Sequence, residues 1–297
     1  MTVYLNGKFV AAEDAKVSVL DRGFIFGDGI YEVWRVIEGK LFESARHDRR
    51  LRRGLEAVEI AVADDEIDAI PAVAQRLLKD NDLLRGEAAF YVEITRGSAP
   101  RTHAYPPPGT KPTIFAMATR FEVPHAMRAA GAKAVTQPDV RWLRCDIKTV
   151  QLLPNCMAKQ KAQAAGGIEA IFVRDDIVTE GTHSSVLGVK NGELRTHPLG
   201  PLILPSVTRE VLLEIARAQK LPVREQAFTV QELFELDELF VAGTTTDVTP
   251  IVDVDGRRIG SGTPGPITKA LYAALQAKLY KRVYDDSVSR QKNQLVG

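Results

Sequence analysis

The chain reads as an α+β or mixed α/β protein of two domains. Three observations predict this. Short runs with a two-residue period alternate with runs at helical spacing. The 297 residues exceed the usual size of one domain. Hydrophobic residues make up 45% of the chain against 26% charged, enough to bury a sizeable core.

The elements follow in order. "VYLNGKFV" (residues 3–10) sets two short β-type runs around Asn-Gly, the strongest local hairpin signal. "DRGFIFGDGIYEVWRVIEGKLFES" is punctuated by glycine and then forms a second hairpin turning at Glu38, Gly39 and Lys40. "RHDRRLRRGLEAVEI" and "EIDAIPAVAQRLLKDND" have helical spacing. "EAAFYVEITRG" and "KPTIFAMATRF" read as strands. Between them lies "SAPRTHAYPPPGT" (98–110), a loop whose prolines can continue neither strand. Strand-like sequence then gives way to a new α and β series, so the boundary is placed at about residue 120, giving domains of residues 1–120 and 121–297. In the second domain the pattern predicts a helix over about 149–165 and strands in "EAIFVRDDIVTEG" and "SVLGVKNGELRTH", the latter a second Asn-Gly hairpin. The helix "SVTREVLLEIARAQK", the strands "DELFVAG" and "PIVDVDG", and a helix from about Pro266 complete it. The polar tail "DDSVSRQKNQLVG" is expected to be loosely held.

Bulk charge excludes some functions. The net charge of +1 gives no nucleic-acid or membrane surface. The basic runs "RHDRRLRR" and "KLYKR" are local, the first a solvated helix face with room for one phosphate-binding arginine. Cys145 and Cys156 have neither zinc spacing nor a disulfide framework, which fits a reducing compartment. With no signal peptide and no apolar run long enough to span a bilayer, the chain is expected to be cytoplasmic. No metal site is expected.

The candidate chemistry gathers in a few places. In "RWLRCDIKTVQLLPN", Lys148 stands among apolar neighbours where a loop or strand end meets a helix. Such a lysine is an ion-pair partner or an amine tuned for reaction. In "LPSVTREV", Ser206 takes an N-cap position with Val207 and Thr208 in the first turn, which makes either an anion site or a capped helix and nothing else. "VAGTTTDVTP" sets three threonines after a strand end, able to bind phosphate or to satisfy a turn. Glu180 sits at a strand end in "VTEGTHSSVLG", and Tyr31 follows two glycines that permit close backbone approach. An amine, a carboxylate, phosphate donors and a phenol together are the equipment for pyridoxal phosphate: a lysine for the Schiff base, an acid for the pyridine nitrogen, and phosphate anchors.

Five segments in order, "DRGFIFGDGIYEV", "RCDIKTVQLLPN", "VTEGTHSSVLGV", "ILPSVTREV" and "DELFVAGTTTDVTPI", carry a resemblance to the class IV, fold-type-IV pyridoxal-phosphate aminotransferases. It runs from Val3 to about Leu279 and implies the two-domain fold of that family, with the cofactor, pyridoxal 5′-phosphate, at the domain interface. It implies that Lys148 is the Schiff-base lysine and Glu180 the partner of the pyridine nitrogen. Arg50, Val207, Thr208 and Thr244 would form the phosphate site, with Thr245 beside it and Leu204 against the ring. The family includes D-amino-acid, branched-chain L-amino-acid and (R)-amine transaminases and aminodeoxychorismate lyases. D-alanine transaminases carry an Arg-x-His pair in the loop after the "YVEITRG" strand that holds the substrate carboxylate, helped by a tyrosine at the Tyr31 position. This chain has Arg101, Thr102 and His103 there. The resemblance therefore points to transamination of D-amino acids such as D-alanine with a 2-oxo acid, 2-oxoglutarate foremost. The alternatives are another class IV activity or a pyridoxal-phosphate-binding protein without turnover. In the family this loop crosses a dimer interface, so a homodimer with a shared active site is implied. One departure stands out. Where D-alanine transaminases run Glu-Gly-Ser-Ser-Ser-Asn, this chain runs Glu-Gly-Thr-His-Ser-Ser, placing His183 and Ser185 beside the expected nitrogen edge.

Overall fold

The structure, a computed structural model, describes the backbone of residues 1–294 and side chains through Lys281. It contains two compact units, one of Met1–Glu122 with Ile147–Gln151 and one of Val123–Asp146 with Leu152–Gly297.

In the first unit β1 (Thr2–Leu5), β2 (Lys8–Ala11), β3 (Gly29–Ile37), β4 (Lys40–Leu41), β5 (Glu87–Thr95) and β6 (Thr113–Arg120) form one antiparallel sheet in the order β2-β1-β6-β5-β3-β4. Both hairpin signals hold. Asn6 and Gly7 (φ 48° and 84°) and Glu38 and Gly39 (φ 48° and 73°) take the paired positive φ that a two-residue turn requires. The helices are α1 (Arg22–Phe26), α2 (Ser44–Ala57), α3 (Asp64–Asp68) and α4 (Ile70–Asp80). The run expected to be one helix over 66–82 is two, because Pro71 lacks the N–H that would continue α3 and instead opens α4. Leu51 and Leu55 of α2 and Leu77 and Leu78 of α4 pack with Trp34, Phe90, Ile94 and Ala116 of the sheet. Each such large apolar side chain contributes about 1.5–3 kcal/mol on burial. Along β3, residues 30, 32, 34 and 36 share one face, so Glu32 projects into the buried layer while Tyr31 points the other way.

Residues 147–151 complete this unit, although a single boundary near residue 120 assigns them to the second. Ile147 joins the first core, Val150 N–H donates to Gly29 O at 3.1 Å, and Ile30 and Thr149 form an antiparallel bridge. Residues 149–151 are therefore not helical. The helix expected from about 149 starts at Leu153, with Pro154 in its first turn.

The second unit holds β7 (Ala132–Pro138), β8 (Glu169–Arg174), β9 (Ile177–Gly181), β10 (Ser185–Lys190), β11 (Glu193–Thr196), β12 (Val223–Glu225), β13 (Glu238–Gly243), β14 (Asp247–Val254) and β15 (Arg257–Arg258). They form one mixed sheet in the order β12-β11-β10-β13-β14-β7-β8-β9, with β15 paired to β14. Its helices are α5 (His125–Ala130), α6 (Leu153–Ala164), α7 (Val207–Ala218), α8 (Val230–Phe234) and α9 (Pro266–Gln294). Asn191 and Gly192 turn the second Asn-Gly hairpin with φ 50° and 75°. β7 was not expected, since "AKAVTQP" has few β-branched or aromatic residues; parallel pairing with β8 and β14 holds it. Units that each combine helices with a sheet place the chain in the α+β or mixed α/β class. The expectation of a loosely held tail lies outside the described side chains. No helix among the described residues is long and apolar enough to cross a membrane, and none of their His, Cys, Asp and Glu groups is placed to hold a metal ion.

Candidate active site

In the first unit Tyr31 and Lys148 meet. Gly27 caps α1 with φ 66°, and a Cβ on Gly29 would lie 3.1 Å from Ile94 O, so the chain entering β3 needs both glycines. The next N–H but one, that of Tyr31, donates to Lys148 O at 3.0 Å. Lys148 Nζ then lies 4.2 Å from the Tyr31 ring centroid, and the Tyr31 ring stacks on Tyr91 at 5.7 Å. The amine thereby lies on the Tyr31 side of β3, against an aromatic face that attracts a cation.

On the opposite face Arg50 of α2 donates from Nε and Nη2 to the two oxygens of Glu32 at 2.8 and 2.6 Å. His47 Nδ1 is 3.1 Å from Glu32 Oε1; an ionised carboxylate only accepts, so Nδ1 carries the proton. Burial alone would raise the Glu32 pKa. Arg50 and His47 outweigh it and hold the carboxyl well below the usual range. His47 is pushed down, first by its burial and further by Arg50 and Lys148, so it is a neutral imidazole. Arg50 is thus a fixed cation.

Arg101 and His103 lie elsewhere. Both are exposed in the 98–110 loop, with the Arg101 guanidinium 5.3 Å from the Phe26 ring centroid and the His103 ring 5.7 Å from it. Arg22 pins the loop by donating to Thr102 O at 2.8 Å. Among the described residues, neither Arg101 nor His103 contacts Tyr31 or Lys148.

In the second unit Glu180 ends β9, buried. Its Oε1 accepts from Arg141 Nη1 at 2.5 Å and its Oε2 from Leu204 N–H at 3.0 Å. Asp139 grips Arg141 through Nε and Nη2, both at 2.9 Å, and also accepts from Arg174 at 3.0 Å and Thr179 Oγ1 at 3.1 Å. Burial pushes the Glu180 pKa up, and Arg141 and the Leu204 N–H oppose that push without cancelling it. An additional cationic N–H at this carboxylate would be stabilised.

The turn that follows is built on a different acid. Glu169, buried, accepts from Thr182 N–H (3.1 Å), Thr182 Oγ1, Ser184 Oγ (2.7 Å) and His183 Nδ1 (3.1 Å). His183 therefore faces Glu169 rather than Glu180. Ser185 Oγ is buried with no hydrogen-bond partner among the described residues.

Two sets of donors remain. Ser206 caps α7, its Oγ accepting from Arg209 N–H at 3.2 Å, while the N–H groups of Val207 and Thr208 have no acceptor among the described residues. Thr244, Thr245 and Thr246 form the three-residue turn between β13 and β14, closed by Asp247 with φ 51°. Buried Arg128 pairs with Asp247 at 2.6 Å and donates to Thr245 O at 3.3 Å, fixing the loop from beneath. Taken unit by unit, the orphan helix N–H groups and hydroxyls of the second suit a phosphate and its buried carboxylate a pyridine nitrogen, while the fixed arginine of the first suits a phosphate and its lysine amine an aldehyde. The residues present fit pyridoxal phosphate.

Sequence reasoning named Lys148, Tyr31, Glu180, Leu204, Val207 and Thr208, but assigned no role to Arg141, Glu32, Glu169 or Arg128. Glu32 had a signal, a charged residue in register with Ile30 and Trp34 on the buried face of a strand. Arg141 has one partner, Asp139, two residues away, but its bond to Glu180 spans 39 residues and that of Arg128 to Asp247 spans 119, and these leave no local mark.

The sequence model of the amino-transferase class IV family matches residues 29–254. The chain is 42% identical over 269 residues to a D-alanine aminotransferase of Staphylococcus epidermidis, covering 91% of this chain and 94% of that one. It superposes on the branched-chain amino acid aminotransferase of Escherichia coli with a TM-score of 0.84 at 24% identity, covering 93% of each chain. The branched-chain aminotransferase of the thermophilic archaeon Thermoproteus uzoniensis, solved with norvaline, gives 0.80 at 27% identity, covering 93% of this chain and 94% of that one.

Proposed function

Because the chain belongs to the class IV aminotransferases, we propose that it uses pyridoxal 5′-phosphate to transfer the amino group of D-amino acids such as D-alanine to a 2-oxo acid, 2-oxoglutarate foremost. The observation that carries this reading is the likeness to a D-alanine aminotransferase over 91% of the chain, with Arg101 and His103 in the expected loop.

When bound, pyridoxal phosphate supplies an aldehyde carbon that takes up the amino group and a ring that accepts the electrons released with the α-proton. Lys148 Nζ would hold the group through that carbon and, when uncharged, would be the base that takes up and gives back the substrate's α-proton. Glu180 keeps a proton on the ring nitrogen. Arg50, the Val207 and Thr208 N–H groups and the Thr244 loop hold the phosphate, with Thr245 beside it and Leu204 against the ring. Tyr31 orients donor and lysine. The two half-reactions use one site in turn, giving ping-pong kinetics.

Arg101 and His103 fix the substrate carboxylate from a partner subunit in a homodimer. Their exposure in this chain supports that reading, as do large apolar side chains exposed in each unit, Val19 (74%) and Phe24 (76%) in one and Leu143 (63%) and Leu153 (71%) in the other. A cytoplasmic setting belongs to the same reading and is supported by two free cysteines, Cys145 and Cys156.

The test is a titration of the cofactor-loaded enzyme with D- and L-alanine in parallel. Loss of the cofactor's visible absorption with D-alanine, regained on adding 2-oxoglutarate, is expected. A response to L-alanine alone overturns the assignment.

A further inference from the structure

We propose that Arg141 is the positioning residue that keeps Glu180 an ionised, fixed acceptor, and that Asp139 and Arg174 hold Arg141 in place for that task. The inference rests on the reading of Glu180 given above.

The geometry carries it. Arg141 meets Glu180 with one nitrogen, Nη1, while Nε and Nη2 are bonded in a fork to Asp139. A planar guanidinium held at two of its nitrogens cannot rotate, so the third points in a fixed direction. Its face is covered as well, with the Phe172 ring centroid 4.4 Å from the guanidinium carbon, and its backbone oxygen accepts from Arg174 Nη2 at 2.8 Å. Glu180 is fixed from the other side by Leu204 N–H, leaving only its remaining lone pairs to reach a ligand.

Charge counting gives the same role. Among the described residues, the groups around Glu180 include Asp139, Arg141, Cys145 and the Leu204 N–H, with Arg174 paired to Asp139. Burial first of all pushes the Cys145 thiol to about 11, so it is neutral and adds no charge. Two carboxylates, Asp139 and Glu180, are thus balanced by two guanidiniums. Removing Arg141 leaves two buried acids with one cation. One acid then has its pKa raised and competes for the proton that the ring nitrogen would otherwise keep. Asp139 keeps Arg174, so that acid is Glu180.

The experiment uses the cofactor-loaded enzyme as wild type, R141M, R141K and E180Q. Three quantities are followed as pH is raised from acid to alkaline: cofactor retained after dialysis, the absorption of the bound cofactor, and the rate of its loss with D-alanine. In R141M the acid limb should move to higher pH, with a loss of roughly ten- to a thousand-fold below that limb and recovery above it. R141K, which restores the charge without the fork, should move the limb part of the way back. An infrared band of a protonated carboxyl should appear in R141M near neutral pH and vanish in the R141M/E180Q double variant. R141Q, which keeps polar atoms against Asp139, carries the same expectation and replaces R141M should that variant not fold. An unshifted limb with no carboxyl band, or an equal loss at every pH in all Arg141 variants, overturns the proposal. An E180Q enzyme of wild-type rate overturns instead the reading of Glu180 on which it rests.

Discussion

The backbone of Tyr31 holds the backbone of Lys148 by a 3.0 Å hydrogen bond, and the aromatic ring of the same tyrosine lies 4.2 Å from the lysine amine. One strand residue thus sets both where the amine starts and what it faces. Lys148→Ala removes the amine while leaving the backbone bond intact. Turnover should vanish, while the phosphate donors of the second unit still bind the cofactor noncovalently. Equilibrium dialysis and an amino-transfer assay check both halves; residual turnover near wild type would refute the role.

Arg101 offers a prediction in the form of a ratio. If it holds a substrate carboxylate away from water, Arg101→Ala should cost about 2–5 kcal/mol, or about 30- to several thousand-fold in kcat/KM for D-alanine. An amine without a carboxylate, such as (R)-1-phenylethylamine, should lose nothing. Equal losses for both donors, with cofactor occupancy unchanged, would make Arg101 structural.

Glu169 predicts an acid sensitivity. Burial opposes its ionisation, but His183 and Thr182 outweigh burial and bring its pKa from the ordinary 4.5 to about 2. The unfolded chain therefore takes up this proton at a higher pH than the native one. The stabilisation is complete above about 4.5 and is lost as pH falls towards about 2, amounting to a few kcal/mol. Glu169→Gln should be less stable than wild type near neutrality, and the gap in Tm should shrink across that acid range. A constant gap would show that the carboxylate's charge is not the cause.

The pair of Arg128 and Asp247 gives a stability prediction with a binding readout. Arg128→Met removes the guanidinium that buried Asp247 pairs with at 2.6 Å and should cost about 3–5 kcal/mol in urea unfolding. Because Arg128 also donates to Thr245 O, affinity for the cofactor's phosphate should fall with it. Adding Asp247→Asn should recover part of the stability; no recovery would assign the loss to packing.

Much of this was legible in the sequence wherever the cause is local. Both Asn-Gly hairpins turn where positive φ was expected, and Ser206 caps its helix as its neighbours implied. The start of α6 was not legible, because Lys148, Thr149 and Val150 are tied to β3, more than a hundred residues earlier, and so stay out of the helix. The alternation of β3 placed Glu32 on the buried face, but not the Arg50 guanidinium and the His47 N–H that reach it from a helix and keep it ionised. Arg141 was visible as a residue and silent as a partner. Side-chain pairs formed across long stretches of chain follow from the fold and cannot be read ahead of it.

The return of Ile147–Gln151 to the first unit has a consequence for synthesis. When Glu122 leaves the ribosome, the carbonyl of Gly29 and the N–H of Tyr31 still lack their partners, which arrive with Lys148 and Val150. At about 5–20 residues per second that interval lasts roughly one to six seconds. Throughout it, one end of β3 is an unpaired strand edge carrying the tyrosine of the site, open to pairing with any other extended chain. The nascent protein is therefore most vulnerable to aggregation midway through translation, and a chaperone that shields the emerging sheet until residue 151 is made would raise its yield.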